Sequence, residues 1–231
     1  MIYVIGNKIK PAGDGMWNEG VPYSKENIYS KIEGALPPVN YDKHIFKPHS
    51  ITHCESPRHT SNTGSTLDVI FEQSPEYFIG DCFVLKFEPN YVQMNQNDFI
   101  HLITSEELEG KISALINNGE IIHKVLITTV NYPTDSNGYH KSNYILVLDE
   151  SAAKYLLELP EFHLFGTSWK STDYQPGKFE RPIHDLLFQK AVIFELLNLN
   201  NVPEGKYYFS GIPLYIEDSV ESPVTPILIS K

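Results

Sequence analysis

Four side chains able to bind a divalent metal, His49, His53, Glu55 and His59, fall within the eleven-residue string His49-Ser50-Ile51-Thr52-His53-Cys54-Glu55-Ser56-Pro57-Arg58-His59. Imidazole nitrogen and carboxylate oxygen are the donors that hold first-row divalent ions where thiolates are lacking. Cys54 and Cys82 are the only cysteines, too few for a disulfide framework or a Cys-based zinc site. Any metal must therefore be held by histidines, of which there are nine, and by carboxylates. A helix would bring His49 and His53 to one face, but β-branched Ile51-Thr52 and Pro57 favour an irregular or partly extended segment. In extended chain His53 and Glu55 point the same way and can share a site. The plain alternative is a polar loop carrying surface histidines, since no zincin-type Glu follows the first His.

Other chemistries find little support. Ser65, Ser151 and Ser171 lack the Gly-x-Ser-x-Gly setting of a serine hydrolase, and there is no phosphate loop or dinucleotide fingerprint. His44, His101, His123, His140 and His163 stand apart from the string and read as ordinary surface or core residues. Cys54 reads as a packed thiol. Trp17 and Trp169 suit either an aromatic pocket or plain packing.

The elements that would position such a site read as α/β. Residues 1–48, with turn signals at Pro11-Ala12-Gly13-Asp14-Gly15 and Leu36-Pro37-Pro38, predict mostly loop after a short strand near Met1 to Ile5. Cys82 to Phe87 and Val125 to Val130 are short β-branched or aromatic runs of the kind that form buried strands. Between them, Thr104-Ser105-Glu106-Glu107-Leu108 predicts a capped helix start, with Ile112, Leu115 and Ile116 continuing the apolar stripe. The same order repeats, as Tyr144 to Leu148 predicts a strand and Asp149 to Leu159 a helix with Ala152, Ala153, Leu156 and Leu157 on one face. His163 to Thr167, Tyr207-Tyr208-Phe209 and Ile227-Leu228-Ile229 predict further strands. The expectation is one α/β domain over 1–231 in which strands outnumber helices.

Composition narrows the partners. At 231 residues with 41% hydrophobic and 20% charged residues, the chain has the make-up of a soluble globular protein. A formal net charge of -11 would repel a polyanion, so nucleic acid is not expected as a partner. The longest apolar runs fall far short of the roughly 20 residues that cross a bilayer. The first residues lack the pattern of a secretory signal, so the cytoplasm is the expected location.

A family resemblance sharpens the metal reading. The string 49–59 resembles the His-x-Gly-Thr-His-x-Asp-x-Pro-x-His signature of the cyclase family, metal-dependent hydrolases that include bacterial kynurenine formamidase and isatin hydrolase. His49, Thr52, His53, Pro57 and His59 fall in register, with Ile51 where the family has Gly and Glu55 where it has Asp. Leu67 to Phe87 is similar to a further family stretch, with Gly80 in its Gly position, and Asp149 to Leu156 to the helix after the family's central strand. Gly166 to Asp173 resembles the Gly-Ile-Asp-Thr-x-Ser-x-Asp segment, with Ser168 in place of the acid. His184-Asp185-Leu186-Leu187, then Ala191 to Leu199, Val202-Pro203-x-Gly205-x-Tyr207 and Pro213-Leu214, follow the order in which the family carries its second metal-binding His and Glu. Ser222-Pro223-Val224 matches the start of the Ser-Pro-Val-Arg tail, with Thr225 where the Arg would stand. The likeness spans roughly residues 45 to 229 and leaves the N-terminal region unmatched.

That resemblance implies a swivelling β/β/α fold with a mixed sheet flanked by helices. It implies metal ligands at His49, His53, Glu55, His184 and Glu195, holding one or two zinc or manganese ions, with His59 as general acid/base. The implied activity is hydrolysis of an amide, lactam or lactone bond of a small aromatic molecule, of the arylformamidase type met in tryptophan catabolism. Alternatives are a ring-closing step in secondary metabolism, or a metal- or ligand-binding member with little turnover. The implied assembly is a homodimer or homotetramer, with a small-molecule substrate and no nucleic acid or membrane partner. Glu55, Ser168 and Thr225 are the departures that would alter substrate or metal site.

Overall fold

The computed structural model describes residues 1–11, 15–17, 19–135 and 139–230. The turn signal at Pro11 to Gly15 lies partly outside the described residues. In chain order these form β1 (Ile2–Val4), β2 (Tyr23–Tyr29), β3 (Tyr41–Phe46), β4 (His53–Glu55), α1 (Leu67–Gln73), β5 (Ile79–Phe87), β6 (Val92–Gln93) and β7 (Phe99–Ile103). Next come α2 (Ser105–Asn117), β8 (Lys124–Thr129), β9 (Tyr144–Leu148), α3 (Glu150–Glu158), β10 (Leu164–Thr167), α4 (Pro182–Leu187) and β11 (Val192–Glu195). The order closes with β12 (Gly205–Ser210), β13 (Glu221–Pro223) and β14 (Ile227–Ser230). Single 3-10 turns at Pro48–Ser50 and Pro57–His59 flank β4.

The main sheet runs β1-β14-β12-β5-β8-β10-β11-β4-β13. Its centre, β5-β8-β10-β11, is parallel, and antiparallel strands extend it on both sides. The parallel strands are mainly apolar along their middles because both faces are covered, and their charged residues, such as Lys124 and Glu195, sit largely toward the strand ends. Val125, Ile127, Phe165 and Ile193 join one core with α2, α3, α4, β7 and β9, whereas Leu126, Leu164, Val192 and Phe194 join a second with Leu67, Phe78, Phe209 and Leu228. Each such buried side chain contributes about 1.5–3 kcal/mol. The fold is therefore α/β with a mixed sheet and flanking helices, as expected, while β6, β7 and β9 form a separate three-stranded sheet.

Local signals placed α2 and α3 well, whereas the short α1 and α4 were not expected from them. Thr104 Oγ1 accepts from Glu107 N–H at 3.3 Å while Glu107 Oε2 accepts from Thr104 N–H at 3.0 Å, a complete capping box at the start of α2. Asp149 Oδ1 accepts from Ala152 N–H at 2.7 Å and caps α3.

The N-terminal region corrects the expectation of mostly loop. There β2 and β3 pair antiparallel as a two-stranded arm outside the main sheet. Tyr23 is its only buried residue, so Tyr23–Tyr29 and Tyr41–Phe46 face solvent on both sides and carry no apolar alternation to read.

Candidate metal centre

Strand register assembles the site. Antiparallel pairing sets Glu195 opposite His53 and Phe194 opposite Cys54. Cys54 and Phe194 both enter the second core. His53, Glu55 and Glu195 must therefore project to the other face, where α4 buries Ile183 and Leu187 and brings in His184. On the other side of β4, the register sets Glu221 of β13 opposite Glu55. The turns before and after β4 supply His49 and His59.

Glu55 stands at the centre, wholly buried. Its Oε1 lies 3.1 Å from His53 Nε2, 3.3 Å from His59 Nε2 and 3.5 Å from His49 Nδ1, and its Oε2 lies 3.2 Å from His184 Nε2. Glu195 closes the group at 3.4 Å from His184 Nε2 and 3.8 Å from His53 Nε2. All six residues anticipated from the sequence thus converge, although His184 and Glu195 lie far from the others along the chain. Ser168 instead donates to Thr128 Oγ1 at 3.0 Å, and Thr225 is exposed.

Two histidines are held in the tautomer that presents Nε2 to the cluster. His53 Nδ1 faces the Ile51 carbonyl at 2.8 Å, and His184 Nδ1 faces Asp173 Oδ2 at 2.7 Å. A carbonyl and a carboxylate only accept, so both Nδ1 atoms carry hydrogen, the outer-shell arrangement that orients metal-binding imidazoles. Asp173 is in turn held by the Ile183 and His184 N–H groups, each at 3.0 Å. Thr172 fixes Glu195, its N–H and Oγ1 donating to Oε1 at 2.5 and 2.9 Å.

Backbone strain adjoins the centre. Leu196, directly after Glu195, has φ +61°, a left-handed conformation uncommon for a bulky residue. Its carbonyl accepts from Thr52 Oγ1 at 2.8 Å and from Asn7 Nδ2 at 3.1 Å, and its N–H donates to the Trp169 carbonyl. Thr52, one of the motif residues, thereby locks the chain beside Glu195.

The electrostatics are those of carboxylates and imidazoles packed together largely away from water. Burial pushes the Glu55 pKa up, yet the close imidazoles of His184, His49 and His53 together hold it well below the usual carboxylate range. Burial likewise opposes charge on His49, but Glu221 and Glu55 outweigh it and raise the pKa to about 10. His53 and His184 are also raised against the pull of burial, by Glu55 for the former and by Asp173, Glu195 and Glu55 for the latter. His59 differs, since burial dominates and its pKa is lowered.

The residues fit a divalent ion. Glu55 Oε2, His184 Nε2 and Glu195 Oε2 are buried with no hydrogen-bond partner, and each such group costs about 1–3 kcal/mol. They belong to the Glu55, His184 and Glu195 trio, whose donor atoms lie within 4.8 Å of one another, as do those of His49, His53, Glu55 and Glu221. Both sets offer only nitrogen and oxygen, the donors for zinc or manganese in a thiolate-free site.

Glu221, Asp173 and Thr172 are the site residues that sequence reading missed. Asp173 and Thr172 fall inside the Gly166 to Asp173 stretch, and Glu221 immediately precedes Ser222-Pro223-Val224, so the motifs flagged their neighbourhoods but not their roles.

A mixed α/β sheet with a His and Glu cluster beside its central parallel strands defines a class, and comparison with known proteins places the chain within it. The family model described as Putative cyclase matches residues 11–174, more than half the chain. The chain belongs to the cyclase family. The match begins well before residue 45, so the N-terminal region is also part of the family pattern. The kynurenine formamidase of Erythrobacter litoralis (strain HTCC2594) is 25% identical over 217 residues, covering 94% of this chain and 88% of that protein. Isatin hydrolase A from Ralstonia solanacearum shares the fold with a TM-score of 0.75 at 20% identity, over 100% of this chain and 92% of that one. Isatin hydrolase A from Labrenzia aggregata, bound to benzyl benzoate, gives 0.73 at 17% identity, over 100% and 94%. Among the described residues no helix is long and apolar enough to cross a membrane.

Proposed function

We propose that this chain is a metal-dependent hydrolase that cleaves an amide, lactam or lactone bond of a small aromatic molecule. The observation that carries the reading is the set of three orphaned buried atoms, on Glu55, His184 and Glu195, aimed at one another. Relatives named kynurenine formamidase and isatin hydrolase support a C–N bond as the target. A cavity of about 300 Å³ lined by Trp17, Trp169, Tyr174, Lys170, Arg181 and Asp173 supports an aromatic substrate. Asp173 links it to the cluster, and the Trp17 ring lies 5.1 Å from that of His49.

His49, His53, Glu55, His184 and Glu195 would hold the metal, zinc or manganese. A divalent ion bound there lowers the pKa of water toward neutrality and polarises the carbonyl under attack. The chain supplies orientation and proton transfer. Asp173 and the Ile51 carbonyl keep the His184 and His53 rings aimed, and Thr172 keeps Glu195 in place. His59 is the proton carrier: its side chain is 23% exposed, its Nε2 faces Glu55, and its lowered pKa leaves it neutral at pH 7. Neutral imidazole accepts the proton of the attacking water and returns it to the leaving nitrogen or oxygen.

The test is metal content of protein purified without added metal, followed by hydrolysis of a panel of aryl formamides, lactams and lactones before and after chelation. The expected result is stoichiometric divalent metal and chelator-sensitive hydrolysis of at least one class. Protein that takes up no zinc or manganese, or a metal-loaded protein inert on every class, would overturn the reading.

A further inference from the structure

We propose that Glu221 is a direct ligand to a metal ion held with His49, His53 and Glu55, making this a two-ion centre with a third carboxylate. The inference rests on the metal-hydrolase reading and adds a residue to its site.

Placement of Glu221 follows from the fold. In the β4–β13 pairing Glu221 is directly opposite Glu55, and residues opposite one another across an antiparallel pair share a face. The Glu221 side chain, 20% exposed, sends Oε2 to within 3.2 Å of His49 Nδ1 and 3.9 Å of His59 Nδ1. One donor atom from each of His49, His53, Glu55 and Glu221 falls within a 4.8 Å cluster, the spacing of ligands around one ion. A second cluster, Glu55, His184 and Glu195, shares Glu55 and contains the orphaned buried atoms. Glu55 can thus bridge, presenting Oε1 to the histidines of the first set and Oε2 to His184.

Charge and ligand count point the same way. Two divalent ions bring four positive charges into a region with low access to water, and Glu55 and Glu195 offset only two. Glu221 offsets a third, and a hydroxide would complete neutrality, so a second ion is far better tolerated with Glu221 than without it. With Glu221 the first set supplies four protein donors, the closed count of a tightly held ion. The Glu55, His184 and Glu195 set supplies three and keeps a position open for water. A simple ion pair between Glu221 and His49 explains their contact, but it leaves unexplained why His49, His53 and Glu55 converge on the same point.

The experiment is a titration of metal-stripped protein with Mn²⁺, followed by calorimetry and by manganese EPR. Wild type, Glu221→Gln and Glu195→Gln are compared, with circular dichroism to confirm folding. Glu221→Gln keeps the shape of the side chain and can still hydrogen-bond His49. The expected wild-type result is two ions per chain. In Glu221→Gln one site should weaken by more than about 100-fold, beyond the roughly 10- to 100-fold that loss of an outer-shell partner costs, and the EPR coupling of paired ions should vanish. Glu195→Gln should weaken the other site. A folded Glu221→Gln that still binds two ions within tenfold of the wild-type affinities overturns the proposal. Wild type binding a single ion overturns it as well, while leaving a one-ion hydrolase intact. Wild type binding none refutes the hydrolase reading itself.

Discussion

The parallel strands β8, β10 and β11 carry a buried group of titratable side chains at each end, and the two groups behave oppositely. At the C-terminal ends lies the His and Glu cluster. At the N-terminal ends, Lys124 opens β8 and His163 precedes β10, beside a larger cavity of about 400 Å³. Lys124 Nζ donates to His163 Nε2 at 2.8 Å, His163 Nδ1 donates to the Glu161 carbonyl at 2.9 Å, and Tyr77 stacks on the His163 ring at 4.6 Å. Burial pulls Lys124 down to about 8, and burial with the nearby Lys124 charge pulls His163 down to about 4. Here one cation meets one neutral acceptor, and neither is an orphaned buried atom. At the other end several donors face each other with buried atoms left unpaired. Burial, a shifted pKa and a large cavity are thus common to both ends; the convergence of unsatisfied ligand atoms marks only the cluster end. Open α/β sheets generally place their ligands beyond the carboxyl ends of the strands, which agrees.

The strongest way to sharpen this contrast is to remove a ligand and then the proton carrier. His53→Ala or Glu195→Ala should lose the ion that the residue helps to hold and drop hydrolysis to the level of the chelated protein. His59→Ala should keep stoichiometric metal while kcat falls by roughly 100- to 10,000-fold. Metal analysis and kinetics on the same preparations separate the two, and metal lost with His59 would make it a ligand. Unchanged kcat with a raised KM would instead make it a residue that binds substrate and transition state alike.

An intermediate effect is expected from the shell that aims His184. Asp173→Asn should weaken metal binding by about 10- to 100-fold, because the amide has one acceptor oxygen, and its NH2 group would face either the Ile183 N–H or the His184 N–H and Nδ1–H that the two carboxylate oxygens now accept. Calorimetric titration of the stripped variant measures it, and affinity equal to wild type would remove Asp173 from the site.

The smallest effect tests the quiet end. Lys124→Met should leave metal content and hydrolysis unchanged. Folded Lys124 titrates near 8 against 10.5 when unfolded, so between those values the unfolded chain holds more protons and stability rises with pH. Below about 8 both states are protonated and the contribution is flat. The groups acting on this amine are His163, Cys82, Asp81 and Glu76. Denaturation of both proteins from pH 7 to 10.5 should show a wild-type rise, at most about 1.4 kcal/mol per pH unit, that the variant lacks. Loss of metal or activity in Lys124→Met would break the comparison by coupling the two ends.

What the sequence alone determined is the chemistry reachable by local rules. His53 and Glu55 share a face because strand side chains alternate, the two cysteines leave only nitrogen and oxygen donors, and Thr104 with Glu107 dictates the start of α2. The apolar runs of β5, β8 and β9 announced strands buried on both faces, and the two separated motifs named His184 and Glu195 through resemblance. Tertiary structure alone decided which residues meet across strands. Glu221 faces Glu55 only because β13 pairs with β4 in one register, and a slip of one residue would turn it away. Asp173 and Thr172 gain their roles because the segment after β10 returns to α4 and the end of β11. The β2–β3 arm stayed hidden because strands that bury a single residue, Tyr23, have no periodicity to read. Alternation and capping are properties of neighbouring residues, whereas register and orphaned atoms arise from packing between segments far apart in the chain.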